Sequence, residues 1–121
     1  MAKYSAEELD NVYHSLANST RRRIITRLCK EKSLTVTELA EPFDMSLAAV
    51  SKHIKVLSKT GLIRKTREGS TFRCHLEFEP IKSAAALIHY LENFIEIEEA
   101  LTLDTPVNQE YEAEEKAEAT A

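Results

Sequence analysis

At Gly61 the hydrophobic repeat of this sequence changes from helical to strand-like, and few folds accommodate that change in so short a chain. Before Gly61 the apolar residues recur every three or four positions, as Leu47, Val50, Ile54 and Leu57 do. After it the period is two: Leu62 to Arg67 and Thr71 to Leu76 read as strands, joined by Glu68-Gly69-Ser70 as a hairpin tip. In the second strand Phe72, Cys74 and Leu76 share one face, and Thr71, Arg73 and His75 share the other. Gly61 itself stands where a left-handed residue ends a helix. With 121 residues there is room for one core.

The helices before Gly61 are marked by their starts. Ser5 and Glu8 have the spacing of a capping box, and Leu9, Val12, Tyr13 and Leu16 follow as one apolar stripe. Asn18-Ser19-Thr20 interrupts that stripe and offers a new N-cap, after which Ile24, Ile25 and Leu28 face inward. Thr35 and Glu38 form a second capping box, opening a short helix that ends near Pro42. Ser46 caps a fourth helix running to Thr60. Two short helices separated by a brief turn make a helix-turn-helix. Pro80 suits the first turn of a fifth helix, from about Ile81 to Leu101. The fold expected is mainly α, five helices with a small β-hairpin wing. One domain spans residues 1–103, and an acidic, Glu- and Ala-rich tail over 104–121 is expected to be disordered.

Net charge, −4, argues against a polyanion partner until it is divided along the chain. From Met45 to Leu76 there are seven basic residues and one acid, Glu68, whereas from Glu77 onward two basic residues face twelve acidic ones. A local basic zone is what binding to nucleic acid requires, and the chain average hides it. Within that zone the fourth helix places Lys52 almost opposite its buried stripe, with Ala48, Lys55 and Lys59 beside it. Small side chains let a backbone approach base edges, and lysines neutralise phosphates. The same helix read alone is a solvated Lys-rich surface. The hairpin that follows at once, with Arg64, Lys65, Arg67 and Arg73, favours DNA.

Leu16-Ala17-Asn18-Ser19-Thr20-Arg21-Arg22-Arg23-Ile24-Ile25 resembles the "ALADPTRRRIL" opening of the ArsR family of winged-helix repressors. Ser46-Leu47-Ala48-Ala49-Val50-Ser51-Lys52-His53-Ile54-Lys55-Val56-Leu57 is similar to that family's "S-x-x-x-V-S-x-H-L-x-x-L" core, and Gly61 to Leu76 resembles its wing. The resemblance covers about residues 8–95. It implies a homodimer on an imperfect palindrome of double-stranded operator DNA. Ser46, Ala48, Ala49, Ser51, Lys52, His53 and Lys55 would face the DNA, with Arg67, Ser70, Thr71 and Arg73 in the wing. The first and last helices would meet the partner through Leu9, Val12, Tyr13, Leu16, Ile81, Ala84, Leu87, Ile88, Leu91 and Ile95. The last helix favours this independently, because its apolar arc is wider than the roughly 100° that one-sided packing needs.

Many relatives of that family release DNA on binding metal, and this chain departs from their ligand sets. The third helix, Thr37 to Pro42, has no cysteine for an arsenic-type site. The last helix offers His89, with Glu92 and Glu96, a weak set for zinc. No metal or other cofactor is expected, and the inducer stays unassigned. Cys29 and Cys74 are expected as reduced, small buried hydrophobes, a thiol switch being the alternative. With two glycines in all, no phosphate-cradling loop exists, and no G-x-S-x-G or H-E-x-x-H pattern supports an enzyme. No apolar run approaches the roughly 20 residues of a membrane span, and the acidic N-terminus does not resemble a signal peptide, so a cytoplasmic protein is expected. The rival from another class is a winged helix used only for protein–protein contact.

Overall fold

The computed structural model describes residues 5–95. In chain order these form α1 (Ala6–Leu16), α2 (Ser19–Glu31), β1 (Ser33–Thr35), α3 (Val36–Ala40), α4 (Leu47–Lys59), β2 (Ile63–Glu68), β3 (Thr71–Leu76) and α5 (Phe78–Glu92). The chain divides into two units, Met1–Ala84 and Ala85–Ala121, and α5 runs from the first into the second. The expected acidic tail over 104–121, and residues 96–101 of the expected last helix, lie outside the described residues.

The helices of the first unit start where their capping residues stand. Ser5 Oγ accepts the Glu8 amide at 3.1 Å while the Glu8 carboxylate accepts the Ser5 amide, and Thr35 and Glu38 repeat the box at 3.1 and 2.9 Å. Asn18 Oδ1 accepts from the Arg21 amide, and Ser46 Oγ from the Ala49 amide, each at 3.1 Å. Each cap satisfies an amide that would otherwise lack a partner, a contribution of about 1 kcal/mol. α4 ends at Gly61 in a Schellman motif: the Leu62 amide reaches the Leu57 carbonyl at 2.9 Å and the Gly61 amide reaches Ser58 at 3.2 Å. Gly61 has φ +80°, and Leu57 and Leu62 are both fully buried beneath the turn. α2 ends differently, on Lys32 at φ +67°, which turns the chain into β1.

The wing is wider than the expected hairpin. β3 is the central strand of a three-stranded antiparallel sheet, with β1 paired on one side through Leu34↔Cys74 and β2 on the other through Ile63↔Leu76. The Glu68↔Thr71 pair leaves Gly69 and Ser70 as a two-residue turn. Gly69 has φ +64° while Ser70 keeps a negative φ, the pattern of a type II′ turn, which suits the twist of the strands.

One core holds the first unit together. Ile24 and Leu28 of α2, Leu39 of α3, Val50, Ile54 and Leu57 of α4, and Cys74 of β3 are all essentially solvent-free. Ser15 is the one buried polar side chain among the described residues, and its hydroxyl donates to Thr60 Oγ1 at 2.8 Å. Leu47 departs from the sequence expectation: it falls on the Val50/Ile54/Leu57 stripe by period, yet as the first residue of α4 it extends beyond the core and is 52% exposed.

Two residues expected at a subunit interface are instead closed inside the subunit. Val12 (1% exposed) joins the core, and Ala84 (5%) is covered there too. The Tyr13 hydroxyl donates to the Ala84 carbonyl at 2.5 Å, tying α1 to the first turns of α5. α5 begins at Phe78 rather than Ile81, with Pro80 in its first turn, where a missing amide costs no helical bond. Within the second unit, α5 ends at Glu92. The Asn93, Phe94 and Ile95 amides donate to the carbonyls three residues back, of Tyr90, Leu91 and Glu92, and the Phe94 ring meets Tyr90 edge-on at 5.4 Å.

Candidate nucleic-acid interface

α4 packs against α2, α3 and β2, leaving its opposite face outward. On it Ser46, Ala48, Ser51, Lys52, Lys55 and Lys59 are exposed, while Ala49 and His53 are half-buried at the margins. No acidic side chain among the described residues pairs with Lys52, Lys55 or Lys59. Unpaired ammonium groups on one helix face keep their charge available for phosphate.

Side chains from α2 hold this helix and the turn before it. The Arg21 guanidinium donates from Nε to the Ser15 carbonyl at 2.6 Å and from Nη2 to the His14 carbonyl at 3.2 Å. Its Nη1 lies 3.3 Å from His53 Nδ1 on α4. Arg27 donates to the Glu38 and Leu39 carbonyls at the end of α3, and Arg23 stacks over the Phe43 ring at 4.6 Å. These three arginines are partly buried. Their targets are backbone carbonyls and a ring tens of residues away or across a turn, for which local spacing has no signal.

The strand register divides the wing into two electrostatically different faces. On one, Arg73 is held by Glu68 at 2.5 Å and by Ser33 Oγ, Arg64 by Glu77 at 2.8 Å, and Thr66 meets the His75 ring at 3.0 Å. The hydrogen bond from Arg73, and after it the Arg73 charge, hold the Glu68 carboxyl below the usual carboxylate range. On the other face Lys65 and Arg67 lie over the Phe72 ring, at 5.5 and 5.9 Å, with no acidic partner among the described residues. The one acid of the basic zone thus neutralises Arg73, whereas Lys65 and Arg67 keep their charge. Ser70 is exposed at the tip and Thr71 is half-buried beside it.

The groups considered for sensing are far less organised. Cys74 is fully buried and its thiol is pushed up by that burial, against a smaller opposing pull from Lys65. Cys29 is exposed, contrary to the expected buried hydrophobe, because it lies on the outer side of the last turn of α2; partial desolvation pushes its thiol up as well. Both are free thiols of a kind that reacts slowly. His89 is exposed and lies 3.7 Å from Glu92, and Glu96 falls outside the described residues. Among the described residues no group of three His, Cys, Asp or Glu side chains is placed to hold a metal ion. No described helix is long and apolar enough to cross a membrane.

Comparison with known proteins fits this geometry. A helix-turn-helix domain family matches residues 16–66, from the end of α1 through β2. The HTH-type transcriptional regulator YuzN of Bacillus subtilis is 32% identical over 80 residues, covering 61% of this chain and 87% of that protein. The transcriptional repressor SdpR of the same organism is 28% identical over 87 residues, covering 72% and 92%. The crystal structure of an ArsR family transcriptional regulator superimposes with a TM-score of 0.68 at 37% identity, covering 78% of this chain and 95% of that one. The chain belongs to the ArsR family of winged helix-turn-helix, DNA-binding transcription regulators.

Proposed function

We propose that the protein is a cytoplasmic homodimer that occupies an imperfectly palindromic operator and represses transcription from it. The observation that carries this reading is the outward face of α4, where Lys52, Lys55 and Lys59 stand exposed beside Ser46, Ala48 and Ser51, with no acidic partner among the described residues. That face enters the major groove, with His53 and Ala49 at its edge. The wing follows the adjacent backbone through Lys65 and Arg67, with Ser70 and Thr71 at its tip, while Arg73 braces the tip through Glu68. Two copies of a reading helix on one duplex require a subunit interface. Leu87, Ile88, Leu91 and Ile95 are exposed apolar side chains available for it, and Leu9, Tyr13, Leu16 and Ile81 are only partly buried. Repression is favoured by the likeness to a protein named as a transcriptional repressor.

A gel-shift titration of the purified chain on its own upstream DNA, against a scrambled duplex of equal length, tests the reading. Discrimination of at least about 1,000-fold is expected of a specific regulator. Equal affinity for both duplexes would leave only the protein-contact alternative. Transcription in vitro from the same fragment then separates repression from activation.

A further inference from the structure

We propose that Leu47 reads a thymine methyl group in the operator, making it a specificity-determining residue of the reading helix; the proposal rests on α4 being that helix. Leu47 is the first residue of α4, 52% exposed, and Met45 two residues earlier is 37% exposed. The N-terminal end of a reading helix is the part that meets base edges. The core does not need Leu47. Val50, Ile54 and Leu57 fill α4's inner stripe, and Phe43, buried under the Arg23 guanidinium, anchors the preceding turn.

The surroundings define what can cover Leu47. Ser46 and Ala48 on either side are small and exposed, and Ser51, also exposed, lies one turn along on the same side. A duplex seated on this end of α4 offers phosphates to the exposed lysines of the outward face, Lys52, Lys55 and Lys59, and base edges to Leu47. The one apolar group that B-DNA presents in the major groove is the thymine C5-methyl. Leu47 has no hydrogen-bonding atom, so its contribution to base choice is contact with that methyl and exclusion of a polar edge.

The test uses the full-length chain and duplexes selected by it from a random library. The wild-type protein should select a thymine at one fixed position in each half-site. Replacing that thymine by deoxyuridine removes only the methyl and should weaken wild-type binding about fourfold, the value of one buried methyl-sized group. Leu47→Ala should bind the two duplexes equally and tolerate cytosine there, while Leu47→Met should keep most of the uridine penalty. Circular dichroism checks that both variants fold, as expected for an exposed site. Failure to select any sequence overturns the operator reading and this proposal together. Specific binding with no position sensitive to thymine-to-uridine exchange, or a penalty that persists in Leu47→Ala, overturns this proposal alone.

Discussion

The Arg21 guanidinium on α2 donates to His53 Nδ1 on α4 across 3.3 Å, and the same side chain holds the last carbonyls of α1. Arginine has no acceptor, so Nδ1 must accept and the neutral ring carries its proton on Nε2. Burial first, and the Arg21 charge second, hold the His53 pKa below the ordinary 6.5. The stability contributed by the neutral ring is therefore complete above that value and is lost as pH falls through His53's own, lower pKa. Urea midpoints at pH 7 and pH 5 should fall less in His53→Gln than in wild type. Parallel falls in the two proteins would contradict the link. Arg21→Ala, which leaves two carbonyls without this donor, should cost about 1–3 kcal/mol at pH 7.

Gly61 carries a left-handed backbone, and a Cβ there would meet only Pro80 Cγ at an ordinary 3.9 Å. The cost of Gly61→Ala is thus conformational, about 1–2 kcal/mol, with no steric addition. A denaturation midpoint unchanged by the substitution would mean that the α4–β2 turn does not need its Schellman geometry.

Arg64, Lys65, Arg67 and Arg73 look equivalent in the sequence, but the ion pairs separate them. Lys65→Ala and Arg67→Ala should each lower the slope of log affinity against log salt by about 0.9. Arg73→Ala removes a charge already paired with Glu68, so any loss of affinity should come with little change in slope. Equal slope changes for all three would show that the Glu68 pair opens on DNA.

Leu87, Ile88 and Leu91 are exposed on α5 at spacings that share a helix face. Leu91→Glu should shift sedimentation from dimer to monomer at micromolar concentration and leave the circular dichroism of the fold intact. A dimer that survives would place the interface elsewhere.

Much of this architecture was legible because its signals are local. Ser5, Asn18, Thr35, Ser46 and Gly61 announce their helix ends within four residues, and the alternation of β3 marks its bounds. β1 has no such signal, since three residues cannot display a period and Thr35 doubles as the α3 cap. Leu47 falls on the inner stripe by period, because periodicity ignores where a helix begins. An apolar stripe does not say whether its own core or a partner covers it, and Val12 and Ala84 are covered by the core. The pairing of Arg73 with Glu68 depends on strand register, and the reach of Arg21 to His53 on tertiary packing.

Fluorescence anisotropy of the full-length chain on a selected half-site pair, across a salt series, tests the assignment of α4 as the DNA-reading helix most directly. Wild type should lose affinity steeply with salt, and Lys52→Ala should bind more weakly with a slope shallower by about 0.9 per contact removed. Unchanged affinity and slope in Lys52→Ala would contradict the assignment.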